Sequence, residues 1–311
     1  MAHRIDVHHH LVAPRFVPSL REEGVLTPHL ASIMNENDAI ADMDKAGVTM
    51  AVNSATMPDH IAGEARRTYV RENNEYMARL AADYPGRFGL FAALPLPDID
   101  ATLKEIAYAF DTLKADGVHM ITSYGDHWLG ESAFAPVFDE LNRRKAVIYT
   151  HPRAPSCCAN TLPELNIRDS VIEFGTDTTR ALTNYLFSGT AARCPDIRVI
   201  WSHGGGTMPF LAERFIRLEK MPRFQPFMPK GFAAEAAKFY YDTAQILHAS
   251  PLLALKQLIP LQRICYGTDY PWRGSQECVA GLKETGIFTP GELAAIDANA
   301  LPLLPRARAA G

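Results

Sequence analysis

The 311-residue chain is poor in cysteine, with only Cys157, Cys158, Cys194, Cys265 and Cys278. The number is odd, two are adjacent, and no CxxC pair occurs. A disulfide framework is therefore not expected, and a reducing cytoplasm fits this usage. Long apolar runs are missing too. None approaches the ~20 residues that a membrane-spanning helix needs, and the opening Met1-Ala2-His3-Arg4-Ile5-Asp6 has no signal-peptide core. Charge of either sign is not in excess. A net charge of -4 and a pI near 6.3 give no electrostatic reason to expect nucleic acid or an anionic membrane as partner. No low-complexity linker, charge block or internal repeat occurs. What is present is a globular balance, 47% hydrophobic and 21% charged, which excludes disorder, collagen and coiled coil.

Short runs rich in Val, Ile, Phe and Tyr recur along the chain. They predict strands over Ile5–His10, Val48–Ser54, Phe88–Ala93, Val118–Thr122, Val147–His151, Val199–His203, Phe239–Asp242 and Ile264–Thr268. Such composition suits strands buried on both faces, as in a parallel sheet. Between them, helical patterns cover Asn37–Ala46, Thr68–Tyr84, Ile99–Ala115, Phe134–Arg144, Thr178–Ala192, Met208–Lys220, Pro251–Leu258 and Pro290–Ala298, with Gly and Pro at plausible ends. About eight strand–helix alternations predict an α/β fold of the closed (β/α)8 TIM-barrel kind. The chain, 1–311, then forms a single domain, with inserted loops at Pro14–Asn35 and Met221–Lys230. A doubly wound open sheet competes, but no GxGxxG follows the first strand.

The densest chemistry is Asp6-Val7-His8-His9-His10. Side chains alternate along a strand, so His8 and His10 face one way and His9 the other, with the first two Cα atoms roughly 6.5–7 Å apart. Two imidazoles so spaced can converge on one ion. Three other predicted strand ends add to them: Tyr149-Thr150-His151-Pro152, Trp201-Ser202-His203-Gly204-Gly205-Gly206 and Tyr266-Gly267-Thr268-Asp269-Tyr270-Pro271. In a (β/α)8 barrel these ends meet at one mouth, where active sites are built. A lone histidine there is usually a hydrogen-bonded structural residue; four titratable residues registered to one face are hard to assign to chance. Three imidazoles and a carboxylate suit zinc, with manganese, iron or cobalt possible. His8, His10, His151 and Asp269 are the candidate ligands. His203 is then the acid/base candidate, since an imidazole ordinarily titrates near neutrality, and the glycines after it allow close approach.

Taken together, IDxHxH, THP, HGGG and GTDYP resemble the amidohydrolase superfamily. More narrowly, they resemble its branch containing 2-amino-3-carboxymuconate-6-semialdehyde, γ-resorcylate, 5-carboxyvanillate and 6-methylsalicylate decarboxylases. The likeness runs from residue 5 to 272. It implies a distorted barrel with one divalent metal held by His8, His10, His151 and Asp269, and it makes His203 the catalytic histidine. In several relatives an arginine eleven residues after that histidine enters the partner subunit's site to bind a substrate carboxylate. Here that residue is Arg214, which would require a homodimer. There are departures. Binuclear members place a bridging lysine or glutamate at the end of strand four, where this chain reads His119-Met120-Ile121-Thr122-Ser123. The semialdehyde decarboxylase has arginines in its first helix, where this chain has Ala39-Ile40-Ala41.

The opening His8-His9-His10-Leu11-Val12-Ala13-Pro14 and the closing Tyr266–Trp272 look most like the salicylate-type decarboxylases. The expectation is a cytoplasmic, metal-dependent, non-oxidative decarboxylase of a small aromatic carboxylate, with His203 or Asp269 supplying a proton to the ring carbon. Phe16, Tyr124, Trp128 and Trp272 are candidates for an apolar slot, and Arg153 for a second anion contact. The alternative is a hydrolase of a lactone, amide or C–C bond that uses the metal to activate water. A hydratase, or a metal-stabilised binding protein, is a more distant reading. Asp242, ending strand seven, is a candidate to orient a ligand histidine. His29, His60, His119, His127 and His248 default to structural or surface roles, and the adjacent cysteines carry no assignment.

Overall fold

The computed structural model describes residues 3–58, 61–158 and 162–309. Eight strands lie in sequence order in one parallel sheet: β1 (Arg4–His10), β2 (Val48–Ser54), β3 (Phe88–Ala93), β4 (Gly117–Ile121), β5 (Val147–His151), β6 (Arg198–Trp201), β7 (Tyr240–Asp242) and β8 (Ile264–Cys265). Bonds from the amides of Val7 and His10 to the carbonyls of Tyr266 and Tyr270, 3.1 and 2.8 Å, bring the last strand back to the first. The sheet is thus a nearly closed (β/α)8 barrel, as the alternation predicts.

Its interior is filled. Ile5, Val7, Met50, Val52, Phe91, Val147, Tyr149, Ile200 and Tyr240 form one buried cluster. Ala300, Leu303 and Leu304 of the C-terminal segment join that cluster. The outer layer holds helices α1 (Glu36–Ala46), α2 (Gly63–Asp83), α3 (Ile99–Asp111), α4 (Ala135–Arg143), α5 (Glu173–Phe187), α6 (Ala212–Leu218), α7 (Ala249–Leu258), α8 (Ser275–Glu284) and α9 (Pro290–Ala298). Their ends follow ordinary capping chemistry. Asn35 accepts from the Asp38 amide at the start of α1, and Gly47 ends that helix at φ 68°. Thr289 and Glu292 form a reciprocal box at α9.

The departures from the sequence pattern are local. The helix expected over Thr178–Ala192 begins at Glu173, and its tail is cut off by Gly189 at φ 84°. Helix α8 is not foreshadowed by the apolar pattern. The segment expected as a helix over Met208–Lys220 opens with a 3-10 turn, Met208–Leu211. More consequential, β6 and β8 stop short of the expected His203 and Thr268. His203 and Asp269 therefore sit in tight turns beyond their strands, not at the last strand positions. The inserted 14–35 stretch contains two short helices, Val17–Glu22 and Pro28–Ser32.

Candidate metal centre and active site

Simple alternation cannot place both Ile5–Val7 and His8–His10 inside a barrel. The chain resolves this with a bulge: three residue steps of β1, Asp6 to His9, run against two of β2, Ala51 to Asn53. An extra residue bends a strand and re-aims its side chains. Val7 packs in the barrel interior, and His8, the next residue, also turns inward, its ring 5.2 Å from Tyr149. His10 faces the same way, with rings 5.1 Å apart. His9 faces elsewhere, as expected: it stacks on Tyr270 at 4.5 Å and its Nδ1 lies 2.7 Å from Asn53 Oδ1. Asp6 fastens the two ends of the sheet together. Its carboxylate accepts from the amides of His8 (2.9 Å) and Thr268 (3.1 Å) and from the Thr268 hydroxyl (2.6 Å).

His8, His10, His151 and Asp269 come together. One donor atom from each lies within 4.8 Å of all the others, and Asp269 Oδ1 is 3.3 and 3.4 Å from the Nε2 atoms of His8 and His10. The other ring nitrogens are taken. Nδ1 of His10 faces the Ser54 carbonyl at 3.1 Å, Nδ1 of His151 the Pro152 carbonyl at 2.9 Å, and Nδ1 of His8 the Asp242 carboxylate at 2.8 Å. Carbonyl and carboxylate oxygens only accept, so each Nδ1 carries a hydrogen and each Nε2 points inward, where it offers a lone pair to a metal once it carries no proton. Nε2 of His8 and of His10 is buried without a hydrogen-bond partner. Buried polar atoms are normally satisfied, and converging lone pairs beside a carboxylate are satisfied by a cation. The donor set therefore fits one divalent metal, and the oxygens behind the rings are the supports such ligands use.

Electrostatics agrees for His10 and His151. Burial, then the neighbouring imidazoles of His10 and His8, holds His151 well below its ordinary pKa; burial also lowers His10. Both rings are neutral, as metal ligation requires. Burial opposes the charged form of His8 as well, but Asp242 and Asp269 outweigh it and raise that ring to about 10. Burial of Asp269 is likewise outweighed, chiefly by His8, so its carboxyl is held well below the usual range.

His203 completes the group. Its ring lies 4.9 Å from His8 and 5.5 Å from His151, with Nε2 3.7 Å from Asp269 Oδ2. Both His203 and Asp269 adopt positive φ, 51° and 70°, uncommon for residues with a Cβ and sustained by surrounding bonds. Asp242 is the common support: Oδ2 accepts from His8, while Oδ1 accepts from the His203 amide at 2.8 Å and the Ala244 amide at 3.0 Å. Gln245 Nε2 donates to Asp269 Oδ2 at 2.9 Å. The glycines after His203 are required by space. Gly206 has φ 68°, and a Cβ there would collide with the Gly175 carbonyl.

The expected substrate contacts divide. Trp272 is half-buried with its ring 5.4 Å from His10. Phe16 packs on Tyr69 at 4.5 Å. The Trp128 indole donates to Asp177 at 2.6 Å, and the buried Tyr124 phenol accepts from the Ile121 amide. The Arg153 amide also points at Asp177, 3.4 Å away, and its side chain is half-buried. Arg214 is exposed on α6. His119, buried on β4, sits 6.3 Å from His151, ring to ring, and burial lowers it to about 3. His127 pairs with Glu131, and His248 caps α7. His60 lies outside the described residues. Phe174, whose ring is 5.8 Å from His151, Gln245 and Asp177 carried no sequence signal: each comes from a loop or helix start with no motif around it.

Comparison with known proteins agrees with this architecture. Residues 5–296 match the model of the amidohydrolase family. Decarboxylase yanB of Aspergillus niger is 36% identical, covering 86% of this chain and 77% of that protein. The 6-methylsalicylic acid decarboxylase acuB of Aspergillus aculeatus is 31% identical over 99% of this chain and 97% of its own. Among solved structures, a Polaromonas dihydroxybenzoic acid decarboxylase with bound manganese and the inhibitor 2-nitroresorcinol superposes with a TM-score of 0.83, at 21% identity, covering 97% of each chain. With its eight-stranded barrel, its three inward histidines and a sequence match that spans most of its length, this chain belongs to the amidohydrolase family.

Proposed function

We propose that the chain is a metal-dependent, non-oxidative decarboxylase of a small hydroxy-aromatic, salicylate-like acid. The observation that carries the metal chemistry is the converging His8–His10–His151–Asp269 set, with His203 beside it. The choice of decarboxylation over hydrolysis is supported by the fungal relatives, which are decarboxylases. Zinc suits three nitrogens and one oxygen; manganese, present in the Polaromonas structure, is the other candidate.

The metal would supply Lewis acidity toward substrate oxygens. The protein's own groups do the rest. Asp269 and His203, 3.7 Å apart, are the two candidates for delivering a proton to the ring carbon that bears the carboxylate. Protonation there interrupts aromaticity, and loss of CO2 restores it. Gln245 holds one oxygen of Asp269 so that the other faces His8 and His10. Trp272 and Phe174 border His10 and His151, supporting a flat slot for an aromatic ring. Arg153 is proposed as an anion contact from the same chain. Arg214 is proposed to act in a partner subunit's site, since it is exposed in its own; a homodimer follows from that reading. We place the enzyme in the cytoplasm on its cysteine usage and take residues 1–311 as one domain. No helix among the described residues is long and apolar enough to cross a membrane.

The test is CO2 release from a panel of hydroxybenzoates by metal-loaded protein. Release from an ortho-hydroxy acid supports the reading. No release from any member, together with oxygen-18 from water entering the product of a lactone or amide, would assign hydrolysis instead.

A further inference from the structure

Adjacent side chains on an extended backbone point apart, so neighbouring cysteines rarely bring their sulfurs together. Here a turn does so. The Cys158 amide donates to the Pro155 carbonyl at 2.9 Å, and the Cys157 amide is held by Asp126 Oδ1 at 3.1 Å. The Sγ atoms stand 2.8 Å apart as free thiols, Cys157 exposed and Cys158 half-buried. The other three cysteines, Cys194, Cys265 and Cys278, are buried. The turn leaves the barrel mouth six residues after His151, on the segment leading to α5.

We propose that Cys157 and Cys158 are a reversible two-electron oxidation site, closing to a vicinal disulfide under hydroperoxide. The Cys157 sulfur attacks a peroxide oxygen; the O–O bond breaks, giving a sulfenic acid and one water. The Cys158 thiol then displaces the sulfenic oxygen, which leaves as a second water as the S–S bond forms. Two thiols and one hydrogen peroxide become one disulfide and two waters, and a dithiol reductant reverses the result. Accessibility selects this pair over the other three cysteines. Cys157 goes first because it is the more exposed. Its hydrogen bond with Cys158 raises its thiol above the ordinary range, so oxidation accelerates as pH rises toward the thiolate. Proximity favours capture within the chain over sulfinic acid or cross-linking, because the second thiol is already in contact with the first.

The experiment is brief exposure of the metal-loaded protein to hydrogen peroxide, then denaturation, alkylation and peptide mass mapping. The expected result is one peptide carrying both residues, lighter by about 2 Da. Alkylatable thiols fall from five to three, and dithiothreitol restores all five. In Cys158→Ser the sulfenic acid on Cys157 has no neighbour to capture it, so dimedone labels Cys157 strongly, whereas wild type is labelled weakly. Equal dimedone labelling of the two proteins would overturn the proposal. So would disulfides that join two chains, or thiol loss confined to Cys194, Cys265 and Cys278. Cys158 lies in a half-buried turn, and circular dichroism of Cys158→Ser checks that the fold is unchanged.

Discussion

At the scale of single residues, Asp242 supports the centre from behind the ring of His8. It is fully buried and serves His8 with one oxygen and the backbones of His203 and Ala244 with the other. Replacing it with Asn leaves the shape but removes the charge that fixes the His8 tautomer. Supports of this kind typically tune metal affinity by about 10–100-fold. Asp242→Asn is expected to lose affinity on that order in competition with a chromogenic chelator. Unchanged affinity would remove Asp242 from the support of the metal. His203 is expected to behave differently. It stands outside the four donors that converge within 4.8 Å of one another, so His203→Asn should keep its metal content while turnover falls by about 10²–10⁴-fold. Metal content and CO2 release, measured on the same sample, separate these two effects; full activity in the variant would exclude His203 from proton transfer.

At the scale of elements, the site depends on turns rather than on strands. The β6–α6 connection holds His203 at φ 51°, followed by three glycines at positive φ. Gly206 passes so close to the start of α5 that a methyl group would strike the Gly175 carbonyl. Helix α5 carries Phe174 beside His151, and Asp177, which ties the β4 end, Trp128 and the Arg153 amide together. Gly206→Ala is therefore expected to cost about 2–4 kcal/mol from strain and clash, measured by urea unfolding. It should also lower turnover by shifting α5. Stability within ~0.5 kcal/mol of wild type would mean that this contact yields freely.

At the scale of the whole molecule, folding and metal binding are linked. Ligands drawn from β1, the end of β5 and the loop after β8 are distant in sequence and meet only in the folded barrel. Metal at ~100 times its dissociation constant would stabilise the fold by about 2.7 kcal/mol, so chelation should lower the melting temperature by several degrees. The pH dependence of the chelated protein has a definite sign. In it, His8 sits between Asp242 and Asp269 with its pKa raised to about 10, above the ~6.5 of an unfolded histidine. That contribution is fully present below pH ~6.5 and is lost as pH rises through about 10. Metal-loaded protein has no proton at that position. Calorimetric scans across this range should therefore show the chelated protein losing stability on the alkaline side and the loaded protein losing less. Parallel curves would contradict the linkage.

What the sequence determined was the alternation of elements and the residues that bear the chemistry. Buried parallel strands need continuous apolar runs, and metal ligands need titratable side chains, so both leave their mark on composition and spacing. His8, His10, His151, Asp269 and His203 could be picked out because each closes or follows an apolar run in a recognisable cluster. Their geometry was not legible. Strict alternation cannot turn Val7 and His8 to the same side; only the mismatch in length between β1 and β2 creates the bulge that does. Asp269 and His203 lie beyond strands that end early, held by Asp242 and Gln245 through contacts whose partners are tens of residues away. Phe174 and Asp177 sit in a helix start with no local pattern at all. Local sequence encodes propensity and chemical type; the direction in which a side chain points is set by neighbours that only the closed barrel brings together.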